Sequence, residues 1–146
     1  MTKTLLNDTQ WLQELRADLL ADGGAEVVAA TPAWMRRPSS LRRVASELAR
    51  SLPAHFDRIV AIGAGADTLG AAVSLATGVP FGNDADAVVP GEDVVVVAAE
   101  AADARAYQNG SVTVVGRSAV WANAPDTDAL FTTPSGSPAR QRKEST

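Results

Sequence analysis

The chain has no cysteine, a single histidine and few aromatics, which make up 5% of its 146 residues. The lack of cysteine excludes disulfides, thiolate metal sites and cysteine nucleophiles together, and it fits a reducing compartment. His55 follows Pro53 in a connecting stretch, and no Gly-x-Ser-x-Gly elbow accompanies it, so it reads as a surface histidine and not as a hydrolase base. No Cys/His cluster points to zinc. Long apolar runs are also missing. The longest, Val94 to Ala99, is far short of the roughly 20 residues of a membrane helix, and MTKTLLNDTQ lacks the apolar core of a signal peptide. We therefore expect a cytoplasmic protein with no membrane partner. Positive charge is scarce as well: the net charge is -4, and basic residues concentrate only at Arg36/Arg37, Arg42/Arg43 and Arg140, Arg142, Lys143. These read as a solvated helix face and a polar tail, and no nucleic-acid partner is expected.

The chain is instead rich in small aliphatic residues in an alternating order of elements. Asp8 or Thr9 can cap a helix from about Gln10 to Ala21, with Trp11, Leu12, Leu15, Leu19 and Leu20 near one face. Asp22-Gly23-Gly24 stops it. Glu26 to Ala30 reads as a short strand ended by Thr31-Pro32. Ser39 or Ser40 can cap a second helix over Leu41 to Ser51. RIVAI, Arg58 to Ile62, reads as a buried strand, Gly63-Ala64-Gly65-Ala66 as a tight turn, and the next residues to Ala76 as a helix ended by Gly78. Further strands are expected at Val79 to Phe81, Asp93 to Ala98, Ser111 to Val115, Val120-Trp121 and Ala129 to Thr132, with a helix over Ala99 to Tyr107. The alternation predicts a three-layer α/β fold, a mostly parallel sheet with helices on both faces. Residues 1–133 are expected to form this domain and 134–146 a disordered polar tail.

IVAIGAGADTLG, Ile59 to Gly70, is a strand, a glycine turn and a helix start. Such a turn brings backbone N–H groups close to an anion, so Gly63, Ala64, Gly65, Ala66, Asp67 and Thr68 are candidate phosphate- or ligand-binding residues. One reading is a dinucleotide turn, with Gly63 and Gly65 as the first two glycines and Asp84, 21 residues after Gly63, as the ribose-binding acid. Against it, Thr68 holds the third glycine position and the second strand is poor. A generic doubly wound α/β domain is another.

A third reading comes from family resemblance. RIVAIGAGADTLGAAVSLATGVPFG, Arg58 to Gly82, resembles the pyrophosphate-loop segment of type I phosphoribosyltransferases, orotate phosphoribosyltransferase in particular, down to a Thr77-Gly78-Val79-Pro80-Phe81 step. Val89-Pro90-Gly91-Glu92-Asp93 and the valines after it resemble that family's lead into its phosphoribosyl-diphosphate strand. The order of elements from Trp11 to Thr133 follows the family loosely. The resemblance implies the family's fold, a homodimer, and a place in nucleotide metabolism. It also implies two acidic residues at the strand end for the ribose hydroxyls and a hydroxyl-rich loop for the 5-phosphate.

This sequence departs from that pattern. The acid positions fall at Ala98 and Ala99, followed by Glu100, Ala101, Ala102 and Asp103 where hydroxyls and glycine belong. These six residues read as a vestigial phosphoribosyl-diphosphate loop, in which Glu100 is either a slipped remnant of the acidic pair or a helix-start acid. The long basic catalytic loop implied by the resemblance is reduced to Gly82 to Val89, eight residues without Lys, Arg or His. Asp67 adds a carboxylate at the glycine turn. All three changes remove cations or add carboxylates around a polyanionic substrate. The reading adopted is a degenerate phosphoribosyltransferase-like protein without transferase activity. It would be a module for a phosphate- or nucleotide-containing small molecule or a regulatory partner, with no catalytic residue, no metal and no cofactor. The alternatives are a divergent active orotate- or purine-type transferase, which would need Mg2+, and an NAD(P)-type binder. Asp84, Asp86 and Glu92/Asp93 could hold magnesium or simply be solvated. Trp34 and Trp121 fit a core or an interface. By resemblance, Arg36-Arg37 lies near an arginine that meets a partner subunit's phosphate, and a solvated pair is the plainer reading.

Overall fold

The computed structural model describes residues 2–24, 27–28, 31–82 and 88–134. Helix α1 (Thr2–Ala21) leads into a small antiparallel hairpin, β1 (Val27–Val28) with β2 (Thr31–Pro32), and a 3-10 turn over Ala33–Arg36. Then come α2 (Pro38–Ser51), β3 (Arg58–Ile62), α3 (Ala66–Thr77), β4 (Phe81–Gly82), β5 (Asp93–Glu100), α4 (Ala101–Ala106), β6 (Thr113–Ala122) and β7 (Ala129–Thr132). The last five strands form one sheet in the order β4-β3-β5-β6-β7, and every pairing in it is parallel. The α/β class expected from the alternation is the one observed. No helix among the described residues is long and apolar enough to cross a membrane.

Burial on both faces explains the unbroken valines of β5. Val95 and Val97 pack with Ile59 and Ala61 of β3 against Leu69 and Val73 of α3, Val44 and Leu48 of α2, and Leu15 and Leu19 of α1. Val94, Val96 and Ala98 turn the other way with Val60, toward Ala104 and Tyr107. Period-2 side chains buried on both sides leave no polar position in a central strand.

Several boundaries differ from the sequence expectation. The helix expected from Gln10 begins at Thr2 and runs through Asp8 and Thr9, because nothing in that stretch breaks a helix. Trp11, expected on the inner face, is 42% exposed, and its ring lies 5.5 Å from the Arg43 guanidinium. Gly24, in the left-handed region at φ 57, closes α1 by donating its N–H to the Leu19 carbonyl at 2.7 Å. Thr31-Pro32, expected only to end a strand, is the second arm of the hairpin. Helix α2 starts at Pro38, three residues early, with proline in the first turn, where its missing N–H costs nothing. Ser40, expected as a cap, is buried and donates to the Asp22 carboxylate at 3.4 Å. The strands expected at Ser111 to Val115 and Val120-Trp121 are one ten-residue strand, β6. The expected tail lies outside the described residues, apart from Pro134.

The close approach of α3 to the sheet depends on Gly70. A Cβ there would fall 2.5 Å from Phe81 Cδ2 and 2.9 Å from Ala61 Cβ. Gly70→Ala gains about 1 kcal/mol of helix propensity but overpacks a rigid contact at a cost of about 1–3 kcal/mol. Net destabilisation is expected in urea titration, and a variant as stable as the parent would mean that α3 can shift off β3.

At the amino end of the sheet Arg58 grips Glu92 with two N–H donors, at 2.8 and 3.3 Å. Arg58's hydrogen bond, aided by the Val89 N–H, holds the Glu92 carboxyl below the usual glutamate range. A carboxyl whose pKa is lowered by folding stabilises fully above its unfolded value and loses that contribution as pH falls through the lowered one. The urea midpoint should therefore decline as pH drops below about 4, and Glu92→Gln should flatten that decline. An unchanged slope in the variant would mean that the pair contributes nothing.

Candidate functional site

The sheet order sets where a ligand crevice can lie. From β3 the chain goes out to β4 and returns past β3 to β5, so the direction of winding reverses between β3 and β5. In open α/β sheets the crevice opens at the carboxyl ends of the strands at that point. The two segments meeting there are the glycine turn after β3 and the start of α4 after β5, the same two that the sequence singled out.

In the turn, Gly63 and Gly65 have φ of 83 and 71, a region that L side chains avoid. Gly65 is the N-cap of α3 and brings no side-chain capping bond. The Ala66 N–H returns to the Gly63 carbonyl at 3.2 Å and the Leu69 N–H to the Gly65 carbonyl at 2.9 Å. Ala64 is partly buried, Asp67 is exposed in the first turn of α3, and Thr68 is partly buried beside it. Pro32 and Met35, from the hairpin and the 3-10 turn, lie over Gly65: a Cβ there would meet Met35 Sδ at 2.6 Å and Pro32 Cδ at 2.7 Å. The N-terminal segment thus roofs the turn.

The residues read as a vestigial loop form no loop. Ala98 and Ala99 are buried inside β5, Ala98 in register with Ile62. Glu100 is the last residue of β5, paired with Trp121, and also the N-cap of α4. Ala101, Ala102 and Asp103 make the first turn of that helix, with Ala101 buried and Ala102 exposed. The helix expected from Ala99 starts two residues later because the ladder to β6 holds Ala99 and Glu100 extended against their helix propensity.

Asp103 crosses the crevice. A Cβ on Gly63 would sit 2.6 Å from Asp103 Oδ2, so the carboxylate of one candidate segment lies directly on the backbone of the other. Asp67, Glu100 and Asp103 give the two segments three carboxylates, and neither segment contains a Lys, Arg or His. The two arginines that follow in sequence, Arg105 and Arg117, already have partners outside the crevice. Arg117 donates to the Ala104 and Tyr107 carbonyls, closing the end of α4, and Arg105 pairs with Asp126 on the β6–β7 connection. At surface-like dielectric, each carboxylate within several Å of a dianion costs on the order of 1–4 kcal/mol.

The other sequence candidates lie apart. Asp84 and Asp86 are outside the described residues. Glu92 is held by Arg58 and Asp93 is exposed, both at the opposite end of the sheet. Among the described residues no group of three or more His, Cys, Asp or Glu is placed to hold a metal ion. Trp34 and Trp121 are buried in the core, and His55 is exposed. Arg37 pairs with Asp22 at 2.9 Å, while Arg36 is exposed at the edge of an open cavity of about 390 Å³ beside that pair. The sequence reading missed a second, more enclosed cavity of about 320 Å³ between α4 and the β6–β7 connection. Its only sequence signal is the turn chemistry of Pro125-Asp126-Thr127-Asp128.

The five-stranded parallel sheet, the glycine turn and the reversal between β3 and β5 define an open, doubly wound α/β fold. Among solved structures, that of UMP synthase from Leishmania donovani matches 90% of this chain with a TM-score of 0.59 and 18% sequence identity. At that identity the likeness is one of fold, and this chain spans 38% of the length of that structure. No family profile and no curated protein sequence matches the chain.

Proposed function

We propose that this chain is a degenerate phosphoribosyltransferase-like module that does not transfer phosphoribosyl groups. It acts by binding, as a phosphate- or nucleotide-recognising or regulatory partner. The fold it has in common with a UMP synthase supplies the framework, and fold alone does not carry an activity. The observation that carries the reading is the Asp103 carboxylate lying against Gly63, in the crevice where a polyanionic sugar diphosphate would need cations. Ala98 and Ala99 add to it. Buried methyl groups in the strand offer no acceptor for a ribose diol. A dinucleotide-binding role draws less support, since Thr68 stands where the third glycine of that fingerprint belongs.

The deciding experiment is a radiolabelled phosphoribosyl diphosphate assay with orotate and the common purines, with and without magnesium. Turnover is expected to stay below about 0.1 per second, far under the enzyme median. Turnover above that with any base would establish a divergent active transferase instead.

A further inference from the structure

We propose that the cavity between α4 and the β6–β7 connection is a binding site for a small zwitterion of the amino-acid type. The cavity holds about 320 Å³ and opens at the carboxyl ends of β5 and β6, one strand over from the reversal between β3 and β5. That volume is at the lower end of the range for small-molecule sites, which combine apolar walls with a few fixed polar groups. Here the walls are the methyls of Ala101, Ala102, Ala122 and Ala124. They leave room for a short aliphatic body and present no flat aromatic surface.

The polar groups are of both signs. Glu100, the N-cap of α4, and Arg105, in its last turn, line the same cavity. Arg105 also pairs with Asp126, whose side chain is 9% exposed and whose other oxygen accepts the Asp128 N–H at 2.8 Å. This pair pins the β6–β7 connection over the cavity and fixes the guanidinium in place. A guanidinium has five N–H donors and a carboxylate about four acceptor sites, so both groups can engage a ligand while keeping their present contacts. A ligand carboxylate is matched to Arg105 and its ammonium to Glu100, with the Asn123 amide beside them. Two carboxylates to one guanidinium favour a ligand that carries an ammonium and no net negative charge over a phosphate. The assignment does not depend on the absence of transferase activity, and its test reads binding, not turnover.

The test is titration of the full chain, followed by amide chemical shifts, with L-leucine and three matched probes: isopentylamine, which lacks the carboxylate, 4-methylpentanoate, which lacks the ammonium, and inorganic pyrophosphate. L-leucine is expected to bind saturably, with shifts centred on residues 100–105 and 122–126. Each probe lacking one charge should bind about tenfold more weakly, the loss of one charge-assisted contact, and pyrophosphate weaker still. Ala124→Leu, at an exposed position on the cavity wall, should abolish the binding while the remaining amide spectrum stays native. Glu100→Gln should remove the advantage of L-leucine over 4-methylpentanoate. No saturable binding, or binding unaffected by Ala124→Leu, overturns the proposal. It is also overturned if removal of residues 135–146 shifts these same amides without any probe, which would make the chain's own tail the occupant.

Discussion

Trp121→Ala is expected to lower the unfolding free energy by about 3–5 kcal/mol, the range for truncating a large buried aromatic. The side chain is 1% exposed and its ring lies 5.5 Å from that of Phe131, tilted by 50°, so alanine would leave a void between β6, β7 and the helices above. The indole N–H is buried with no hydrogen-bond partner, a donor that costs free energy where it stands. Trp121→Phe removes that donor and keeps an aromatic ring on Phe131, so its cost should be much smaller, about 1–2 kcal/mol. Urea titrations of the two variants check both figures. Equal costs for alanine and phenylalanine would mean that the indole is not packed as described.

Gly65→Ala carries the other large effect. The left-handed backbone alone costs an L residue about 1–2 kcal/mol, and the new Cβ would be driven into Met35 Sδ and Pro32 Cδ, adding about 1–3 kcal/mol of overpacking. Destabilisation of about 2–5 kcal/mol is expected. The two contributions separate in a double-mutant cycle, because Met35→Ala removes the clash with sulfur and leaves the backbone strain. Part of the Gly65→Ala cost should therefore vanish in the double variant. Strict additivity would show that Met35 does not bear on the turn.

The same contact shows where sequence reasoning stops. RIVAI, the glycine turn and α3 were legible because each carries a local signal: buried β-branched residues, glycines at positive φ, and a helix with a glycine stop at Gly78. The unity of β6 was not. Gly116, Arg117 and Ser118 interrupt its apolar pattern and read as a break between two short strands. Tertiary partners override that signal. Gly116 lets Pro53 approach, with a Cβ there only 2.9 Å from Pro53 Cδ. Ser118 shares a hydrogen bond with Ser51 at 2.9 Å, and Arg117 reaches the α4 carbonyls. In the candidate site, the composition already indicated too many carboxylates and too few cations. The position of Asp103 on Gly63 was not legible, since 40 residues separate the two and only the parallel pairing of β3 with β5 brings them together. The cavity beside α4 escaped notice for a related reason: alanines are silent in a sequence until a fold arranges them into walls.

The central place of β5 also governs how the protein assembles. Both of its neighbours run parallel to it, so neither pairing can close as a simple hairpin, and each must wait for a long crossover to be laid down. As the chain leaves the ribosome, β3 and α3 emerge before β5, and β3 can pair only with the two residues of β4. The sheet cannot condense until the valines arrive. Such nonlocal closure places the chain among slow folders, with the apolar side chain of Val60, whose partners Ala104 and Tyr107 come later still, uncovered in the interval.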